Sequence, residues 1–251
     1  MSDDEARMTF TEHLGELRTR IVRAGVALVI GFVVCYALSN QIFAYVRWPL
    51  RALEDAWVAL SPIEPVLVKL KIAGYGGALL MSPYILYQAC AFVFPGLTRK
   101  ERSVVRVLLF GGAALSVLGV AVAYWGILPL VLPYLIEKLT PDGVVNQLRL
   151  NETLSFIVKV LAGFAIAFQF PMAVLVLVYM DLLTPDTLKR YRRVAIVGLA
   201  VASAVLTPPD PGSMIIMLIP LLLLYEGSIW ASYLVVRKKK ALPDPADKQT
   251  G

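Results

Sequence analysis

Two carboxylates standing among cations are the residues of this 251-residue chain whose types and spacing suggest chemistry. Glu16 lies in His13-Leu14-Gly15-Glu16-Leu17-Arg18-Thr19-Arg20, and Glu101 sits between Arg99-Lys100 and Arg102. A carboxylate can hold a guanidinium through two parallel, charge-assisted hydrogen bonds, so these groups suit local recognition of a cationic peptide. The same spacing allows a plainer reading. Glu16 can pair with Arg20 at i,i+4, and Glu101 with Arg102 and the helix start beside it. Covalent chemistry has no support. His13 is the only histidine, and no serine lies in a G-x-S-x-G context. Cys35 and Cys90 occupy separate apolar runs near opposite membrane faces, where small apolar fillers are expected and a disulfide is not. These ligands are too few for a transition-metal site, so no metal or cofactor is expected.

Other polar groups are single and scattered. Gln169 lies deep in an apolar run with Phe164, Phe168 and Phe170. Two roles are open to it, an interhelical hydrogen bond or a polar spot on a concave wall that receives a partner's polar group. Lys159 can snorkel or pair with Glu152, and Glu226 can pair within a bundle or with nearby cations. Asp210, in Thr207-Pro208-Pro209-Asp210-Pro211, reads more readily as a turn former than as a ligand. Tyr124, beside Trp125, reads as an interfacial anchor.

The elements that must position these groups are membrane helices. The chain is 58% hydrophobic and only 17% charged, with a mean hydropathy of +0.71. Soluble domains are about half apolar and about a quarter charged. The net charge of +6 comes from short basic clusters between apolar runs, which is topology information and not a nucleic-acid stripe. Apolar runs at roughly 21–39, 67–94, 104–128, 153–178, 192–206 and 213–236 predict six transmembrane helices in one domain over residues 1–236. A basic, disordered tail is expected over 237–251. Lysines and arginines divide roughly 17 against 7 between the two faces, which predicts cytoplasmic N and C termini.

Residues 9–20 predict a short interfacial helix capped by Thr9 or Thr11, with Phe10, Leu14 and Leu17 on one stripe. Its length and acidity favour an uncleaved first span over a signal peptide. Gly25 and Gly31 suit a close helix contact, residues 42–60 predict interfacial helices, and Ser82-Pro83 predicts a bend in span two. Lys69 and Lys71 are expected to snorkel to the near face. Spans five and six predict short helices. The fifth holds about 14 residues, roughly 20 Å of helix against a hydrocarbon core of about 30 Å. The sixth has about 13 residues before Glu226, since an unpaired charge does not face lipid. Two short neighbours would thin the bilayer locally.

Together these stretches resemble the TatC family, the polytopic subunit of the twin-arginine protein translocase. The resemblance rests on His13–Arg18; Ser82–Gln88 with Phe92, Pro95 and Glu101; Ser155-Phe156 and Gly163–Pro171; and Leu206–Asp210 with Pro220-Leu221 and Leu224-Tyr225-Glu226. It spans nearly the whole chain in order. It implies a six-helix, glove-shaped, concave bundle in a bacterial or archaeal plasma (inner) membrane, with the signal peptide of a folded cargo recognised at the cytoplasmic face. Carried over by motif, Glu16 and Glu101 bind the paired arginines, and Leu17, Arg18 and Phe92 support that surface. Pro49, Tyr124, Pro209, Asp210 and Glu226 match positions of structural or assembly importance. Where the family commonly has a glutamate this chain has Gln169, which keeps the polarity and removes the charge.

The partners implied are twin-arginine signal peptides, single-span TatA- and TatB-type subunits, further copies of the chain in a receptor complex, and membrane lipids. Transport would draw on the transmembrane proton gradient, and the chain itself would bind without being an enzyme. Competing readings fare worse. A small-solute transporter predicts inverted repeats and several midplane charges, and no convincing repeat is visible. An intramembrane protease needs a serine–histidine or paired-aspartate arrangement, which is missing.

Overall fold

The computed structural model describes residues 10–48, 57–93, 102–138, 140–141 and 148–240. Within them the chain is mostly helical: α1 (Phe10–Ala37), α2 (Ser39–Val46), α3 (Glu64–Val93), α4 (Arg102–Ala121), α5 (Leu128–Pro133), α6 (Leu150–Ala167), α7 (Phe170–Tyr179), α8 (Pro185–Arg190), α9 (Arg192–Leu206) and α10 (Pro211–Lys240). The helix that begins as α4 widens into π-helical turns at Val122–Ile127 and Tyr134–Lys138, on either side of α5. Pro129 explains the first: it lacks an N–H and crowds the Trp125 carbonyl four residues earlier, which a wider turn relieves. A two-residue parallel pairing, β1 (Trp57–Val58) with β2 (Leu148–Arg149), ties the segment after α2 to the start of α6. Residues 42–60 were expected to be helical, so Trp57-Val58 departs from that expectation. Both are favourable strand residues and find an extended partner.

The fold divides into two compact units, residues 1–169 and 170–251. In the first, α3 packs against α1, α4 and α6. Glycines set how near these helices come. A Cβ on Gly77 would lie 2.6 Å from the Phe32 nitrogen, and one on Gly31 would lie 2.7 Å from the Gly77 carbonyl oxygen. Gly119 makes the same kind of room for α6, since its Cβ would meet the Phe164 carbonyl oxygen at 2.8 Å. Gly25, expected to serve beside Gly31, has nothing within 4 Å. In the second unit, α7, α8 and α10 enclose a core of Val174, Val178, Leu188, Tyr225 and Ile229. The Tyr225 hydroxyl donates to the Leu188 carbonyl at 2.7 Å. Thr184 caps α8 as the sequence suggests, its hydroxyl accepting the Thr187 N–H with Pro185 in the first turn.

Several boundaries differ from the sequence reading. The expected interfacial helix over 9–20 is the opening of α1, which runs unbroken from Phe10 to Ala37. Among the described residues four helical runs are both long and apolar enough to cross a membrane: Leu14–Ala37, Phe110–Ile136, Leu150–Tyr179 and Pro211–Arg237. The second expected span, α3, has 30 residues, but Lys69, Lys71, Tyr75, Tyr84, Tyr87 and Gln88 dilute its apolarity. The fifth, α9, is apolar but only 15 residues long, about 22 Å.

The expectation of a short sixth helix is corrected. α10 has 30 residues, about 45 Å, and continues through Lys240. Glu226 does not end it, because its carboxylate is paired: Arg192 Nε meets Oε1 at 2.8 Å and a second guanidinium nitrogen meets Oε2 at 2.9 Å. A neutralised charge leaves the helix free to run on. Arg237–Lys240 are therefore helical, and the expected tail beyond them lies outside the described residues.

Candidate functional site

The site builds from α1 and α3. Glu16 and Arg20 are one turn apart on α1, and their side chains are only 17% and 20% exposed. Arg20 donates through Nε and a terminal nitrogen to the same carboxylate oxygen, Oε1, at 2.8 and 2.5 Å. Its other terminal nitrogen donates to Gln88 Oε1 on α3 at 3.3 Å, and Gln88 Nε2 donates to the Tyr84 hydroxyl at 2.6 Å. Local pairing of Glu16 is therefore real, but it uses one oxygen. Glu16 Oε2 is buried and has no hydrogen-bond partner among the described residues. A buried carboxylate oxygen without a donor is costly unless something supplies one. Arg20 and Gln88 thus hold Glu16 in place through one carboxylate oxygen.

Of the other expected recognition residues, Leu17 is half-buried and Arg18 exposed. Phe92 is half-buried, one turn beyond Gln88 and on the same face of α3. Glu101 and Pro49 lie outside the described residues. The sequence reading did not single out Arg20, Gln88 or Tyr84 as a connected set. A glutamine in an apolar run, four residues from one aromatic and four from the next, was the available signal.

A second polar cluster joins α3, α4 and the end of α6. Pro83 has no N–H for the Leu79 carbonyl, and the Ser82 hydroxyl donates to that carbonyl instead at 2.8 Å. Ser82 and Ser116 hydroxyls meet at 2.9 Å. Gln169 Nε2 donates to the Ser116 hydroxyl and, at 2.8 Å, to the Gly112 carbonyl. The helix breaks at Phe168-Gln169 because Pro171 has no N–H for the Ala167 carbonyl and its ring crowds that group, and the turn brings Gln169 to α4. Gly112 makes the space, since a Cβ there would meet Gln169 Oε1 at 3.0 Å. That oxygen is buried and unpartnered among the described residues. The interhelical role is therefore filled by Nε2, with one acceptor left over.

The remaining expected positions are structural in their contacts. The Tyr124 hydroxyl donates to the Tyr45 carbonyl at 2.7 Å, and its ring stacks on Trp48 with centroids 6.0 Å apart. Asp210 caps α10: Oδ2 accepts the Ser213 N–H at 2.6 Å, and that bond above all holds its carboxyl below the usual range. Pro209, beside it, is exposed. Glu152 pairs with Arg149 at 3.0 Å. Lys71 does not simply snorkel. Its ammonium donates to Asn151 Oδ1 at 2.7 Å and to the Ser155 hydroxyl at 2.8 Å, bonding α3 to α6.

A family model described as "Sec-independent protein translocase protein (TatC)" matches residues 12–220. The chain belongs to the TatC family. It is thereby a membrane translocase subunit of the twin-arginine type. A TatC relative from Aquifex aeolicus is 35% identical over 238 residues, covering 94% of this chain and 99% of that one. The chloroplastic TATC of Arabidopsis thaliana is 34% identical over 229 residues, 90% of this chain and 67% of the relative. The relative from Halothiobacillus neapolitanus is 32% identical over 92% of this chain, which spans 64% of its length. A crystal structure of a twin-arginine translocase receptor, TatC, superposes with a TM-score of 0.79 at 33% identity, covering 89% of this chain and 99% of that one.

Proposed function

We propose that this TatC-family chain is the receptor subunit of its translocase, binding twin-arginine signal peptides of folded cargo at the cytoplasmic face. Glu16 and Glu101 take the two guanidinium groups, and Leu17, Arg18 and Phe92 form the supporting surface. The observation that carries this reading is the buried Oε2 of Glu16, unpartnered among the described residues. Arg20 already demonstrates the chemistry on the other oxygen of the same carboxylate. A peptide arginine approaching Oε2 finds a desolvated, pre-oriented acceptor, where a charge-assisted hydrogen bond is strongest. The solved relative, described as a twin-arginine translocase receptor, supports this reading.

In the same reading six helices cross the inner membrane with both termini cytoplasmic. α9, about 22 Å long, thins the bilayer beside it. Single-span TatA- and TatB-type subunits pack near α9 and α10, copies of the chain associate in the receptor complex, and the proton gradient drives transport. Gln169 Oε1 offers a partner's donor an acceptor. The test is photo-crosslinking of a twin-arginine peptide to the full chain in membranes. Glu16→Ala with Glu101→Ala should abolish the adduct, and an undiminished yield would remove the site assignment.

A further inference from the structure

The receptor reading leaves unused a cavity of about 400 Å3 in the first unit, where the end of α1 and α2 meet the middle of α3, the middle of α6 and the outgoing end of α4. Its wall includes Cys35, Ile42, Leu79, Val120, Leu161 and Ala162, and no charged residue lines it. The Tyr124 hydroxyl at its edge is spent on the Tyr45 carbonyl. Water takes about 30 Å3 each and needs two to four polar partners, so a space this large and this apolar stays dry. Left empty, it forfeits dispersion contacts over its whole lining.

The cavity lies among three of the runs long and apolar enough to span a membrane, so the medium outside it is acyl chain. A helix is about 10–12 Å across with its side chains and is too thick to enter such a space. One acyl chain is not. The aromatic border supplies the other half of the match. Tyr45 and Tyr124 also line an adjoining cavity of about 380 Å3 with Ala44, Trp48 and Trp125. Tyrosine and tryptophan cluster where hydrocarbon meets headgroup. A dry apolar chamber bordered by an aromatic cluster fits an amphiphile with its tail inward and its polar end at the rings.

We propose that this chamber is a binding site for one acyl chain of a membrane phospholipid, its glycerol end resting against Tyr45, Trp48, Tyr124 and Trp125. The occupant fills the space between α1, α3 and α6 and steadies their packing, independently of peptide recognition. The test uses the full chain in bilayer discs of phosphatidylethanolamine and phosphatidylglycerol, doped with a phospholipid carrying a diazirine in its acyl chain. Irradiation and peptide mapping should find labels concentrated on the segments around Cys35, Leu79 and Ala162. Ala162→Phe and Val120→Phe, which fill the chamber from two walls, should each cut that labelling about tenfold. Leu118→Phe, on an exposed face of α4, should leave it unchanged.

Labels spread evenly over lipid-exposed positions such as Val29 and Phe110 would overturn the proposal, leaving only annular contact. So would labelling that survives both filled variants, or a photoreactive group at position 35 that captures polypeptide and no lipid. If a filled variant fails to fold, the wild-type map decides alone.

Discussion

Replacing Gly77 by alanine tests how α1 and α3 are held together. The new methyl would lie 2.6 Å from the Phe32 nitrogen and 2.7 Å from the Gly31 carbonyl carbon. Both neighbours are backbone, so no side chain can swing away, and the helices must part by most of an ångström. Overpacking costs about 1–3 kcal/mol, and a clash against two backbone atoms belongs at the upper end. Gly25→Ala is the matched control on α1. Nothing lies within 4 Å of its Cβ, and removing a mid-helix glycine stabilises by about 0.5–1 kcal/mol. The two substitutions therefore move stability in opposite directions.

Thermal unfolding followed by tryptophan fluorescence in detergent reads the difference. At roughly 2–4 °C per kcal/mol for a chain of this size, Gly77→Ala should lower Tm by several degrees. Gly25→Ala should raise it slightly. Gly31→Ala, in the same contact, should add little on top of Gly77→Ala. Because α1 carries Arg20 and α3 carries Gln88, parting the helices also stretches the 3.3 Å bond that steadies Glu16. A Gly77→Ala protein at or above the wild-type Tm, or a Gly25→Ala protein equally damaged, would refute the packing argument.

Three further outcomes follow from single contacts. Gln169→Leu removes the donor to the Gly112 carbonyl and the Ser116 hydroxyl, and should cost about 1–3 kcal/mol in detergent unfolding, whereas Ser82→Ala costs less. Lys71→Met removes two bonds between α3 and α6 and should lower Tm more than Lys159→Met on the exposed side of α6, measured side by side. For Asp210, the Ser213 N–H holds the carboxyl below its ordinary value, so the unfolded chain takes up the proton first as pH falls. The cap's contribution is thus complete at neutral pH and lost as pH drops through the lowered folded value. Unfolding midpoints measured from pH 7 downward should show that loss in wild type and a flatter curve in Asp210→Asn.

Much of this was legible because the carriers are local. Thr184-Pro185 announces a capped helix, Thr207–Pro211 a sharp turn, and α9 takes its expected bounds of 192–206. Membrane character could be read from composition alone. What escaped depends on neighbours distant in sequence. Glu226 looked like the end of a span because its partner, Arg192, lies 34 positions away. Gly25 and Gly31 look alike in sequence, and only the position of Gly77 separates them. Gln169 was read as either bonded between helices or open to a partner, and its Nε2 makes the interhelical bonds, to positions more than fifty residues away. For Glu16 the expected local pairing with Arg20 is present, through the single oxygen Oε1.

The most direct measurement is the affinity of the full chain in bilayer discs for a fluorescent twin-arginine peptide, compared with its twin-lysine counterpart, in wild type and Glu16→Gln. A hydrogen bond to a charged group is worth about 1.5–3 kcal/mol. The substitution should weaken twin-arginine binding by roughly ten- to a hundredfold and nearly erase the preference over lysine. Equal affinity in the two proteins, with the arginine preference intact, would contradict the assignment of Glu16 as the guanidinium acceptor.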